Sequence, residues 1–180
     1  CRIEKDPEGH QIILHCMGDV HLDHILTKME RKYGIKAVQS EMYIPYRETI
    51  RGTVTAEGKH KKQSGGHGQY GHVWLEISPQ PAGEGNAFTE TIFGGSVPRQ
   101  YVPAVEKGTA ETLAGGILAG YPVVDVKVNL YDGSYHTVDS SEAAFKAATA
   151  LALRKGIKEA DPILLEPIYN ISISAQEYFL

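Results

Sequence analysis

Hydrophobic and polar positions along the chain fall into short segments with two different periods. Ile12-Ile13-Leu14 is an apolar run of strand length that closes before Gly18. Asp19 then reads as the cap of a helix whose apolar positions, Val20, Leu22, Ile25, Leu26 and Met29, recur at helical spacing. Lys28, Arg31 and Lys32 suit the negative end of that helix, and Gly34 ends it. The opening stretch is thus expected to run strand, helix, strand. The pattern changes over residues 42–47, around Pro45, and a domain boundary is placed there.

From Arg47 the period drops to two. Thr49, Arg51, Thr53 and Thr55 alternate with Ile50, Gly52, Val54 and Ala56, which predicts one strand. A glycine-dense turn over residues 64–71 leads to a second strand over 72–78, with Val73, Leu75 and Ile77 on one face and Trp74 and Glu76 on the other. Residues 80–86 are a loop by composition, and 88–93 a third short strand. A helix is expected over 99–115, with Val102, Val105, Thr109 and Leu113 on one stripe, Pro98 before it and Gly115-Gly116 after it. Val124, Val126, Val128 and Leu130 mark a further strand face, followed by a polar turn over 131–139. Asp139 with Glu142 reads as a capping box for a last helix, apolar nearly all round from Ala143 to Leu153 and so expected against a sheet. After Asp161-Pro162, residues 163–173 read as a strand that begins a further domain.

The chain has 180 residues, room for one large or two small domains. A hydrophobic fraction of 42% and a charged fraction of 22% are those of a globular protein with a core. No apolar stretch approaches a membrane span, and no membrane partner is expected. Cys1 and Cys16 are read as reduced thiols in a cytosolic setting. A net charge of −4 excludes a generally basic nucleic-acid binder but leaves room for a local basic patch. The chain opens on Cys1 and closes on Tyr178-Phe179-Leu180, and is expected to be a piece of something longer.

Several motifs fail on context. Gly66-His67-Gly68-Gln69-Tyr70-Gly71 matches G-x-G-x-x-G, but a strand follows, whereas a dinucleotide site needs a helix whose amino terminus holds the pyrophosphate. The kinase version lacks its lysine strand, H-R-D loop and D-F-G triplet, and no P-loop is present. His21, Asp23 and His24 have a usable metal spacing, but nothing nearby completes a site. No G-x-S-x-G elbow occurs, and Ser140-Ser141 is explained by capping.

What remains is a concentrated positive hairpin. Lys59, His60, Lys61, Lys62, His67 and His72 fall within a stretch that contains no acid. Its glycines expose backbone N–H groups to phosphate oxygens, Gln69 offers a donor and an acceptor, and Tyr70 a stacking face. A solvated turn is the plain alternative, and the residues alone leave both open. The second polar turn, with Tyr131, Asp132, Gly133, Ser134, Tyr135 and His136, is suited to the same chemistry if it lies at the same end of the sheet.

Long strings carry a family resemblance. Gln63-Ser64-Gly65-Gly66-His67-Gly68-Gln69-Tyr70-Gly71-His72-Val73 closely resembles a signature of translation elongation factor G. So do Gly94-Gly95-Ser96-Val97-Pro98, Gly120-Tyr121-Pro122-Val123-Val124-Asp125-Val126-Lys127-Val128, Tyr131-Asp132-Gly133-Ser134-Tyr135-His136 and Leu165-Glu166-Pro167-Ile168. Met17-Gly18-Asp19-Val20-His21-Leu22-Asp23 resembles that factor's third domain, and Tyr46-Arg47-Glu48-Thr49-Ile50-Arg51 its lead-in to the fourth.

The resemblance implies an α+β fold. Residues 1–46 would be part of a ferredoxin-like third domain, and 163–180 the first strand of a fifth. Residues 47–162 would be a fourth domain of mixed sheet plus helices with a left-handed β-α-β crossover. It also implies a ribosome-binding segment of a GTP-dependent translocase, acting in the cytoplasm as a monomer. Two tip loops would contact messenger and transfer RNA in the decoding centre: Ser64, Gly65, Gly66, His67, Gly68, Gln69 and Tyr70 in one, Asp132, Gly133, Ser134, Tyr135 and His136 in the other. Gln69 and His136 match the family's functional tip residues. No catalytic residue, metal or cofactor is expected in this stretch; GTP and magnesium belong to the parent protein, a translational GTPase. His67 stands where the family usually has arginine, so a paralogue acting in ribosome recycling or protection is a second reading. A free-standing RNA-processing protein on the same fold is a third.

Overall fold

The structure is a computed structural model and describes residues 1–6, 11–63 and 68–172. Two compact units emerge, one of residues 1–45 with 167–172, the other of 46–166.

In the first unit, β1 (Arg2–Lys5) and β2 (Ile12–His15) pair antiparallel, Arg2 opposite His15. Helix α1 spans Asp19–Tyr33. Its cap is Gly18, at a φ of 146° and with no side-chain hydrogen bond, so Asp19 sits inside the first turn, where its charge suits the dipole. Gly34 closes the helix in the left-handed conformation, its N–H donating to Glu30 O. Leu22, Ile25, Leu26 and Met29 are half-buried, while Val20 is exposed. The strand expected after this helix does not form. Instead the Gln11 side chain holds that stretch, donating to Glu41 O at 2.9 Å and accepting from Tyr43 N at 2.7 Å, so a side-chain amide replaces a ladder.

The second unit carries a four-stranded sheet in the order β4 (Val54–Lys62), β5 (Gln69–Pro79), β7 (Val126–Ser134), β6 (Ala87–Glu90). All neighbours are antiparallel except β6 and β7, which are parallel. Helices α2 (Val102–Ala114, after a 3₁₀ turn Arg99–Tyr101) and α3 (Glu142–Glu159) pack together, α3 on β4 and β5. The core is built as the alternation predicts, from Val73, Leu75 and Ile77 of β5 and Val126, Val128 and Leu130 of β7, all fully buried. Phe145 of α3 stacks on Tyr101 with ring centroids 4.7 Å apart. A Cβ on Gly58 or Gly71 would run into the backbone of α3 at Ala148 or Ala144, so these glycines let helix and strands approach.

In this unit several expectations change. The single strand expected over 47–56 is two strands in different sheets: β3 (Arg47–Ile50) pairs with β8 (Pro162–Leu165), and a bend at Arg51 and Gly52 separates it from β4. Both bend amides donate to Ala160 O, at 3.2 and 2.9 Å, which diverts the chain without breaking its alternation. The strand expected over 163–173 covers only Pro162–Leu165 among the described residues, and residue 173 lies outside them. Helix α3 is buried on one face rather than all round, with Leu151 exposed. Its cap is Ser141, whose hydroxyl accepts from Ala144 N at 3.2 Å, and not Asp139.

Candidate functional site

The polar turn expected over 131–139 begins later than its composition suggests, because β7 continues to Ser134. Asp132, Gly133 and Ser134 are strand residues, opposite Trp74, Val73 and His72 of β5. The reason is a bulge: Leu75 pairs with Leu130 but Trp74 with Asp132, which leaves Tyr131 as the extra residue. Without it, strict alternation from the buried Leu130 would turn Ser134 toward the helices. With it, Gly133 shares the helix side with Val73, and Ser134 shares the open side with His72. Asp132 Oδ1 accepts from Gly133 N at 2.8 Å, the main cause holding that carboxyl below the usual carboxylate range.

Ser134 is the junction of a polar chain on the open side. Tyr70 Oη lies 2.8 Å from Ser134 Oγ, which lies 2.7 Å from His72 Nδ1. His72 Nε2 in turn lies 2.9 Å from Glu57 Oε1 on β4. Lys59 Nζ stands 5.8 Å from the Tyr70 ring centroid.

The turn that follows β7 docks on the start of β5. Asp139 O accepts from Tyr70 N at 2.8 Å, and Asp139 Oδ1 accepts from Gly68 N at 2.9 Å. Ser140 Oγ accepts from His136 N at 2.9 Å. His136 Nδ1 lies 3.4 Å from the N–H groups of Val138 and Asp139 and 3.5 Å from Asp139 Oδ2. The ring is 55% exposed, with its centroid 6.3 Å from that of Tyr70.

Of the residues picked from the sequence, Tyr70 meets Ser134 and His136 at one end of the sheet, where Gly68 bonds Asp139, with Gln69, Asp132, Gly133 and Tyr135 nearby along the chain. Gln69 is exposed on the α3 side of β5, its Oε1 2.8 Å from His60 Nε2. It is Tyr70, on the other side, whose ring meets His136. Ser64, Gly65, Gly66 and His67 lie outside the described residues. Lys61 and Lys62, at the end of β4, are exposed.

Comparison with known families decides the kinship. A family model described as elongation factor G, domain IV matches residues 43–161, and one described as elongation factor G, domain III matches residues 1–41. The chain belongs to the elongation factor G family. A crystal structure of a Thermus thermophilus protein is similar at a TM-score of 0.80 and 41% identity, covering 91% of this chain and 24% of that one. The present chain thus spans about a quarter of the length of that relative.

Within this elongation factor G segment, two carboxylates that sequence reasoning gives no such role organise the loops. Asp139 reads in the sequence as a helix cap and instead ties the second turn to Gly68. Glu48, fully buried, accepts from Ile117, Leu118, Ala119, Gly120 and Tyr121 N–H at 2.7 to 3.0 Å. Burial alone would raise its pKa, but the backbone donors outweigh it and hold the carboxyl below the usual glutamate value. No signal in the sequence points to either pairing, since the donors are main-chain groups far along the chain. Among the described residues no three His, Cys, Asp or Glu side chains come together as a metal site.

Proposed function

We propose that this chain is the ribosome-binding segment of a GTP-dependent translocase, and that the end of the sheet at Gln69, Tyr70 and His136 contacts the messenger–transfer RNA duplex. The observation that carries the reading is the docking of the 135–140 turn onto the start of β5, which sets the exposed His136 ring beside Tyr70 next to a lysine-rich strand end. Such a surface offers a stacking face, neutral donors and acceptors, and nearby positive charge. It can follow a duplex without gripping its phosphates permanently.

In this reading, residues 1–46 are the later part of a ferredoxin-like third domain, and 47–162 the fourth domain. Residues 163–180 would be the start of the fifth, although β8 pairs with β3 inside the second unit. The parallel β6–α2–β7 unit would be the left-handed crossover. The parent protein would supply GTP and magnesium binding and act in the cytoplasm. The described helices include none long and apolar enough to cross a membrane.

The test is His136→Ala in the full-length protein. Movement of messenger and transfer RNA should slow by up to about tenfold, the rate equivalent of one polar contact made only in the transition state. Ribosome-stimulated GTP hydrolysis should stay nearly intact, because the contact acts on the moving duplex. Unchanged single-round movement would overturn the reading.

A further inference from the structure

Four side chains on the open face of the sheet form an unbroken hydrogen-bond chain, Glu57–His72–Ser134–Tyr70, that runs toward the proposed RNA-contacting end. Its direction follows from donor and acceptor chemistry. An ionised carboxylate only accepts, so His72 Nε2 must carry the proton that faces Glu57 Oε1 across 2.9 Å. In a neutral imidazole that leaves Nδ1 as an acceptor, so the Ser134 hydroxyl donates to it across 2.7 Å. The proton of Ser134 is thereby committed, and its oxygen accepts from the Tyr70 hydroxyl at 2.8 Å. Each link fixes the next. The bulge at Tyr131 is what places Ser134 on the same side as His72, so the chain depends on a local irregularity rather than on strand periodicity.

We infer that His72 is a positioning residue for the tip: through Ser134 it fixes the end of β7 and the Tyr70 ring, and so sets His136 against the β4–β5 hairpin. The His72 side chain is largely covered, at 14% exposure, and has a partner on each ring nitrogen, so its orientation is determined from both sides. Tyr70 links this chain to the tip, bonding Ser134 through its hydroxyl and Asp139 O through its backbone N–H. Its ring then faces His136 at 6.3 Å. The functional half of the inference rests on the RNA-contacting reading above; the positional half does not.

Two measurements separate those halves. In the 180-residue chain, nitrogen NMR of labelled histidine should show His72 as the tautomer protonated at Nε2, with Nδ1 accepting. Tyr70→Phe, which removes one oxygen and keeps the ring, and Ser134→Ala should both shift the His136 ring signals. Glu57→Gln, whose amide can donate to Nε2, should change the His72 nitrogen pattern. A His72 spectrum typical of a freely exchanging imidazole, or His136 signals indifferent to Tyr70→Phe and Ser134→Ala, would overturn the positioning role.

In the full-length protein, His72→Ala and Tyr70→Phe should slow messenger–transfer RNA movement by about fivefold, the rate equivalent of one net hydrogen bond. His72→Gln, which keeps a donor for Glu57 and an acceptor for Ser134, should recover most of the rate. If His136→Ala slows movement but His72→Ala and Tyr70→Phe do not, the functional part of the inference fails and the RNA-contacting reading stands. If His136→Ala also has no effect, the reading itself fails, and the positional role is judged on the His136 signals.

Discussion

Before β7 begins, the Glu48 carboxylate draws five backbone N–H groups of residues 117–121 onto its two oxygens; beyond the end of β7, Asp139 takes one, from Gly68, through one oxygen. Both acids pin a loop to the sheet unit, but Glu48 is fully buried whereas the Asp139 side chain is 27% exposed, with its second oxygen 3.5 Å from His136. The first arrangement has no free acceptor capacity and no solvent to compete with it, so it makes the base of the unit rigid. The second holds the tip with fewer bonds and leaves its neighbours exposed. On the proposed function, a part that meets a moving partner is better built the second way, because local adjustment there does not disturb the core.

The largest expected effect is at Glu48. Replacing it by alanine would take the acceptor from five buried-side amides at once. Glu48→Ala should therefore destabilise the chain by about 3 kcal/mol or more, read from denaturant unfolding. A loss no greater than that of Asp139→Ala would break the contrast between the two ends.

The acid dependence sharpens the same contrast. The folded pKa of Glu48 lies below its unfolded value, so the carboxylate contributes stability in full above the unfolded value of about 4.3. That contribution is lost as pH falls through the lower folded pKa. Glu48→Gln should remove this part of the acid limb, flattening the plot of unfolding midpoint against pH below about 5. An acid limb unchanged in Glu48→Gln would assign acid sensitivity elsewhere.

At the other end, Asp139→Ala should cost about 1 kcal/mol, as expected for a partly exposed carboxylate with one well-formed hydrogen bond. Its effect should be local. Hydrogen exchange at Gly68 should accelerate, while the amides of Val73, Leu75 and Ile77 stay protected. Uniform acceleration across β5 would mean that the tip and the core open together.

Much of this architecture is legible in the chain, and the failures are informative. Val73, Leu75 and Ile77, and Val126, Val128 and Leu130, are assignable to a buried face because each strand buries alternate residues on one side only. Tyr131 to Ser134 reads as a turn because Asp-Gly within a polar run is a turn signal and the bulge ends the alternation, although the backbone stays paired. Residues 47–56 read as one strand because period two survives the bend at Gly52, where the chain passes from one sheet to another. The family resemblance picks out Gln69 and His136 by motif. It cannot show that Tyr70, rather than Gln69, is the partner of His136, because that depends on which side of β5 each residue stands. Glu48 is illegible for a different reason: its donors lie 69 to 73 positions away and are main-chain groups that every residue type would supply.

The smallest expected change in stability is at Gln69, and it isolates the surface from the scaffold. Gln69 is exposed, and the described contact of its side chain is with His60, 2.8 Å away and also near solvent. Truncating it leaves no buried group unpaired, so Gln69→Ala should alter unfolding stability by no more than about 0.5 kcal/mol. In the full-length protein the same substitution should slow messenger–transfer RNA movement by up to about tenfold, since one polar contact to the duplex would be lost. The substitution therefore pairs a near-zero effect on the fold with a measurable one on movement, the reverse of Glu48→Gln, whose partners are all internal. Normal movement in a normally stable Gln69→Ala protein would remove Gln69 from the contact surface and confine the tip to Tyr70, His136 and their neighbours on the open side.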